Sequence, residues 1–394
     1  MTFPKGFLWG AATAPHQVEG NNTSSDWWLR EHGQLPSPHP VESPSGDAAD
    51  SYHRYPEDMR LLADAGLTSY RFGIEWARIE PEEGFVSRAQ LDHYRRMIDT
   101  ALDLGLTPMI TLHHFTNPAW LARDGDWRNP AVVDRFARFV ETALPILSDV
   151  DLVCTINEPN MVAIMANSSE AFPHLGLPAG DPVVTENLVA GHKRAVDILR
   201  GGGKLAGWSV ATQAYQPEPG AEQVADDYGY SREDVFMDAA RGDDWIGIQA
   251  YTRTRIGADG PIAIPDTAER TLTGWEYYPG AIEFGIRRSW QRNGGVPIYV
   301  TENGIATVDD ARRIDYTTGA LEGVLNAMAD GIDVRGYLHW SALDNYEWGS
   351  YAPTFGLIGW DRETFERHPK PSLAWLGGVA RAGGLLVSGA VSSL

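Results

Sequence analysis

Two glutamates carry the first chemical signal, each sitting where an apolar run stops on a carboxylate beside an amide. One run ends Thr155-Ile156-Asn157-Glu158-Pro159 and the other Val300-Thr301-Glu302-Asn303-Gly304. Taken singly, either acid reads as a solvated loop residue. Taken as a pair they suggest two-carboxyl chemistry. One acid protonates a leaving oxygen while the other attacks the carbon or activates water, which is what cleavage of a glycosidic bond requires. The pair works only if both run ends face one another, so the elements that carry them decide the reading.

Short β-rich runs alternate with longer helical patterns. Strands are expected over 7–12, 69–74, 108–113, 152–157, 205–210, 245–249, 298–301 and 334–340. Helices are expected over 56–65, 89–104, 131–147, 186–200, 232–240, 276–293 and 311–330, with a last one starting near Pro371. Strand–helix alternation implies a parallel sheet. Eight such units without a long linker imply an α/β fold, a single (β/α)8 TIM barrel. The 394 residues would suggest two or three domains at ~150 residues each, but this pattern makes 1–394 one domain. Function in such a barrel sits at the C-terminal ends of the strands. Strands four and seven lie across the lumen from each other, so Glu158 and Glu302 face over the mouth. An open doubly wound sheet would want a G-x-G-x-x-G turn after its first strand. Gly10-Ala11-Ala12-Thr13-Ala14 does not match it, and Gly201-Gly202-Gly203 reads as a helix stop. The Pro- and Ser-rich stretch 34–46 is a loop rather than an element.

Composition narrows the partners. There are 53 acids against 32 bases, a net charge of −21, and no polybasic run. That balance argues against a nucleic acid or an anionic membrane surface, both of which call for basic residues. No stretch reaches the ~18 apolar residues of a membrane span, and the start MTFPKGFLWG is not a secretory leader. The expected location is cytoplasmic. The lone Cys154 excludes an internal disulfide and reads as a buried thiol. His113-His114 is not a metal pair, because adjacent strand residues point to opposite faces. Neither a metal nor a cofactor is expected.

The two glutamate motifs do not stand alone. Phe3-Pro4 and Phe7-Leu8-Trp9-Gly10-Ala11-Ala12-Thr13-Ala14 open the chain; Tyr70-Arg71-Phe72 and Glu75-Trp76-Ala77-Arg78-Ile79 follow. Trp340-Ser341, Asp344-Asn345-Tyr346-Glu347-Trp348 and Pro369-Lys370-Pro371-Ser372 come late. In this order, and over nearly the whole length, the sequence resembles glycoside hydrolase family 1, the retaining β-glucosidase-like barrels. The resemblance implies a β-glycoside substrate and a two-step mechanism with net retention. Glu302 would be the nucleophile and Glu158 the acid/base, supported by Arg71, Asn157 and Tyr251. Gln17, His113, Trp340, Glu347 and Trp348 would bind the sugar, with Asn157 on its 2-hydroxyl. Glu347-Trp348, and the lack of a Lys over 349–369, point away from 6-phospho-sugars. A non-proline cis peptide at Trp340–Ser341 is also implied. Trp9, Trp76 and Trp245 read as scaffold.

Several positions depart from the family's usual pattern. His16 stands where Tyr or Phe is common, His113-His114 where His-Trp is common, and Gln249-Ala250-Tyr251 where Asn-Tyr-Tyr is usual. The expected activity is that of a retaining β-glycosidase, with glucosides ahead of galactosides, fucosides or mannosides. The alternatives are a transglycosidase using the same two glutamates and a non-catalytic sugar-binding relative. Such a relative usually lacks one of the glutamates, and both are present here.

Overall fold

The computed structural model describes residues 2–38, 40–167 and 176–385. Eight parallel strands close into a barrel. They are β1 (Leu8–Ala12), β2 (Ser69–Gly73), β3 (Thr107–His113) and β4 (Leu152–Asn157). The ring continues through β5 (Leu205–Thr212), β6 (Ile246–Ala250), β7 (Ile298–Glu302) and β8 (Val334–Trp340). Each strand pairs with its successor, and β8 pairs with β1 over Leu8↔Gly336 to Ala12↔Trp340. Nearly every strand residue is buried, because helices cover the outer face and side chains fill the lumen.

The lumen floor is a layer of Met109, Leu152, Cys154, Trp245, Tyr299 and Leu338. Close strand packing crowds any side chain at Gly207, beside Trp245 of the floor, and at Gly247, between Ser209 and Thr301. A Cβ on Gly207 would lie 2.0 Å from Trp245 O, and one on Gly247 would lie 2.4 Å from Ser209 Oγ and 2.5 Å from Thr301 Oγ1. Trp9 and Trp76 belong to the large outer core, as expected of scaffold residues, and Cys154 is buried.

The helices form where polar caps meet apolar stripes. Arg88–Asp103 starts on Ser87 Oγ, which accepts from Gln90 N, and buries His93, Tyr94, Met97, Ile98 and Ala101 along one face. Pro182–Gly201 and Asp310–Ala329 start on Asp181 and Asp309, each accepting two backbone N–H groups. The first long helix runs over Ser51–Ala65 and holds Pro56 in its interior, so it starts five residues before the expected 56. A proline is a natural first-turn residue, and that preference misplaces the start. The single helix expected over 232–240 is instead Glu222–Gly229, a π-turn over Tyr230–Asp234, and Val235–Ala239. Loop 34–46 contains no helix or strand among its described residues and is tied to the 346–351 turn by hydrogen bonds.

The two strands that lead to Glu158 and Glu302 break the simple alternation of faces at their ends. On β4, Cys154 pairs with Gly207 and Asn157 with Ser209, three residues against two. On β7, Val300 pairs with Ile248 and Glu302 with Gln249, two against one. Such bulges re-aim side chains beside active sites. The described ends of the chain meet before β1 begins: Phe3 N donates to Gly383 O at 2.8 Å, and Thr2 bridges Gly384. Among the described residues, no helix is long and apolar enough to cross a membrane.

Candidate active site

Glu302 ends β7 with both carboxylate oxygens engaged. Arg71 Nη1 donates to Oε1 and Tyr251 Oη donates to Oε2, each at 2.5 Å. Arg71 rises from β2 and is fully buried behind the carboxylate, and its Nη2 donates to Asn157 Oδ1 at 2.5 Å. Gln249 Nε2 donates to the same Asn157 oxygen at 2.8 Å and to Thr301 Oγ1 at 3.2 Å. Two donors on Oδ1 fix which way the Asn157 amide points. Its Nδ2 then meets His114 Nε2 at 3.1 Å. Gln249 therefore braces the amide next to Glu158 and contributes to holding Glu302.

Glu158 follows β4 with φ +46, a left-handed backbone that is uncommon outside glycine and clusters at functional sites. Its N–H is fixed by Ser209 O at 2.7 Å. Among the described residues, no side chain hydrogen-bonds its carboxyl. Burial pushes that carboxyl well above the usual range, and the Glu302 and Glu347 charges push it further against the pull of Arg71. Burial also raises Glu302, but Arg71, Tyr251 and Gln249 all pull it back. The two environments set the carboxyls apart. When the pair holds one proton, it sits on Glu158. Tyr251 keeps its own proton as a donor, because burial and the Glu302 charge raise the phenol well above its ordinary value.

Asn157, Glu158, Tyr251 and Glu302 line a cavity of about 930 Å³ at the strand C-termini, the upper end of the ~300–1,000 Å³ typical of small-molecule sites. Its inner end holds Gln17, Trp340, Glu347 and Trp348 together with Glu302 and Asn157. Trp340 Nε1 donates to Glu347 Oε1 at 3.2 Å, and burial raises Glu347 to about 8. Gln17 Nε2 donates to Tyr346 O at 2.9 Å, while Gln17 Oε1 is buried and accepts from nothing among the described residues. The Trp340–Ser341 peptide is cis.

One sequence expectation is corrected here. His113 does not line the cavity. It packs edge-on against Trp127 and Phe136 in the helix layer, with Nε2 2.9 Å from Asn117 Oδ1. His114 lines the cavity instead, roughly parallel to Trp340 and Trp348 at 5.9 and 6.3 Å between centroids. Burial depresses both rings, His113 to about 4 and His114 well below its ordinary value.

Phe115, Met161, Met165, Ile262, Ile264 and Trp275 also line the cavity, alongside Arg253, Arg255, Asp266 and Arg270. Sequence reasoning missed these apolar residues because they lie on loops and short helices outside the strand runs. Trp275 had one usable signal, an indole beside Gly274 in a polar stretch. It is more exposed than a core tryptophan and lies 5.7 Å from the Tyr251 ring.

Known proteins match this chain along its length. The profile of glycosyl hydrolase family 1 covers residues 1–243 and 250–385. The thermostable beta-glucosidase B of Thermobispora bispora is 32% identical, covering 98% of this chain and 92% of that protein. The bifunctional beta-D-glucosidase/beta-D-fucosidase of Bifidobacterium breve is 30% identical, with 95% and 97% covered. The crystal structure of beta-glycosidase BGL167 superposes with a TM-score of 0.88 at 43% identity, covering 98% of each chain. A match of this extent settles the family: the chain belongs to glycosyl hydrolase family 1.

Proposed function

We propose that this O-glycosyl hydrolase cleaves terminal β-glucosides with retention, using Glu302 as nucleophile and Glu158 as acid/base. The observation that carries the assignment is the asymmetry of the pair. Glu302 is held at both oxygens by cationic and phenolic donors, and no described side chain hydrogen-bonds the Glu158 carboxyl beside it.

In the first step a Glu302 oxygen attacks the anomeric carbon. The bond to the leaving oxygen breaks, and that oxygen takes the Glu158 proton. The glycosyl-enzyme ester removes the Glu302 charge, so Glu158, now deprotonated, becomes an adequate base. It takes a proton from water, the water oxygen displaces Glu302, and the sugar leaves with its original configuration. Arg71 and Tyr251 hold Glu302 in line for both displacements. Asn157 presents its amide to the 2-hydroxyl. Gln17 Oε1, Glu347 and the indoles of Trp340 and Trp348 receive the far end of the sugar. His114 takes the place on this wall that His113 does not occupy.

Kinetics on aryl β-glucoside, galactoside, fucoside and mannoside test the activity, with the glucoside expected to lead in kcat/KM. Glu302→Ala should abolish turnover, and added azide should restore it as the α-glycosyl azide. A β-azide product would overturn the nucleophile assignment, and lack of turnover on all four substrates would overturn the activity.

A further inference from the structure

We propose that the buried His16–Glu31 pair is a positioning device for the sugar-gripping turn around Glu347, and through it a determinant of recognition at the hydroxymethyl end of the glycone. The inference rests on the proposed β-glycosidase reading and extends it to two residues outside the cavity.

His16 Nε2 and Glu31 Oε1 are 2.7 Å apart, and both side chains are 0% exposed. A buried polar pair is costly unless its remaining groups are satisfied. Here they are: Glu31 Oε2 accepts from Ser45 N at 3.0 Å and from Ser45 Oγ at 2.7 Å. His16 Nδ1 lies 3.3 Å from Asn22 Nδ2. Hydrogen bonds on both sides of the pair fix its geometry rather than merely filling space.

What it fixes is the pair of residues that flank Glu347. The His16 ring lies parallel to the Trp348 indole, 6° between planes and 5.7 Å between centroids. The same ring is edge-on to Tyr346 at 6.1 Å. The other arm of Glu31 reaches the same turn through loop 34–46. Ser43 O accepts from Tyr346 Oη at 2.9 Å, Ser45 O accepts from Tyr351 Oη, and Gly349 O accepts from Glu42 N at 2.8 Å. One carboxylate thus ties both supports of the turn together. The turn needs support, because Trp348 sits at φ +46, where a bulky residue persists only if its surroundings hold it. In the proposed binding mode, with the anomeric carbon at Glu302, the C6 hydroxymethyl extends toward Glu347 and Trp348. A small shift of the turn is felt there first.

The test compares a 4-nitrophenyl β-glucoside with the matching β-xyloside, which lacks the hydroxymethyl group. Glu31→Gln keeps size and removes the charge; His16→Phe keeps a ring for stacking and removes the tether. Each is expected to raise KM for the glucoside about 10-fold, with kcat and the xyloside kcat/KM within about twofold. The double variant should resemble either single one, because all three disable one device. Equal losses on the two substrates, or no loss on either, in variants that melt as folded proteins would overturn the role. If His16→Phe does not fold, Glu31→Gln decides. If neither folds, the pair is structural and the inference falls. A wild type inactive on both substrates fails the activity itself and this role with it, whereas an active wild type with indifferent variants fails this inference alone.

Discussion

His113 and His114 differ by one position in the chain and by a whole layer in the fold. Met109 packs in the lumen floor, and counting in twos from it along β3 leads to His113. Yet His113, the last residue of the strand, packs against Trp127 and Phe136, and the cavity receives His114, so the alternation fails at the strand end. His114→Ala is therefore expected to lower kcat/KM roughly 100-fold, measured on an aryl β-glucoside. His113→Ala should leave kcat/KM within about threefold and destabilise the fold by about 1–3 kcal/mol, read by denaturant unfolding. Glu158→Ala should slow poor leaving groups about 100-fold or more while sparing activated aryl glycosides. Similar losses across leaving groups would contradict the acid role. At this scale the two glutamates were legible because each stands at a strand end, and Arg71, Tyr251 and Gln17 through the family resemblance alone. His114, Phe115 and Trp275 were not, since their placement depends on how strand ends turn and how loops return.

The strands themselves were legible to within two residues at every end, because buried parallel strands read as short β-rich runs. Helix starts were less so, as the interior Pro56 and the π-turn over Tyr230–Asp234 illustrate. The bulges on β4 and β7 left no mark in the sequence, since a bulge is a relation between two strands. Yet they let Asn157 and Glu302 meet Arg71 over the same lumen. Gly247 lies between the two bulged strands, against Ser209 of β5 and Thr301 of β7. Gly247→Ala should wedge that layer, costing about 1–3 kcal/mol in a denaturant melt. It should also lower kcat, because Thr301 adjoins Glu302. A stable variant with full kcat would show that packing around Thr301 does not set the position of Glu302.

Across the whole molecule, buried ionisable groups make stability depend on pH in a definite direction. Burial raises Glu75 to about 7 and Glu233 and Glu347 to about 8. Each then binds more protons folded than unfolded, so stability falls as pH rises through about 4.5 toward 8. Burial lowers His93 and His113 to about 4 and His339 to about 3. These bind fewer protons folded than unfolded, so stability falls as pH drops from about 6.5 toward those values. Above about pH 6.5 only the acids of these two sets still act, and self-repulsion of the −21 charge adds to them. The melting temperature should peak on the mildly acidic side and decline by pH 8 in calorimetry; a rise from pH 6.5 to 8 would contradict these protonation states. The acidic balance, read at first as a statement about partners, is thus also a statement about working conditions.

The contact between Phe3 and Gly383 has a different consequence. A ring of parallel strands has no first member, and its sequence order is only the place where the circle was cut. That cut lies on the face away from the cavity. A short linker from Gly384 to Thr2, with a new opening in an exposed helix-to-strand connection on the same face, would yield a permuted enzyme whose mouth carries the same loops in the same order around the rim.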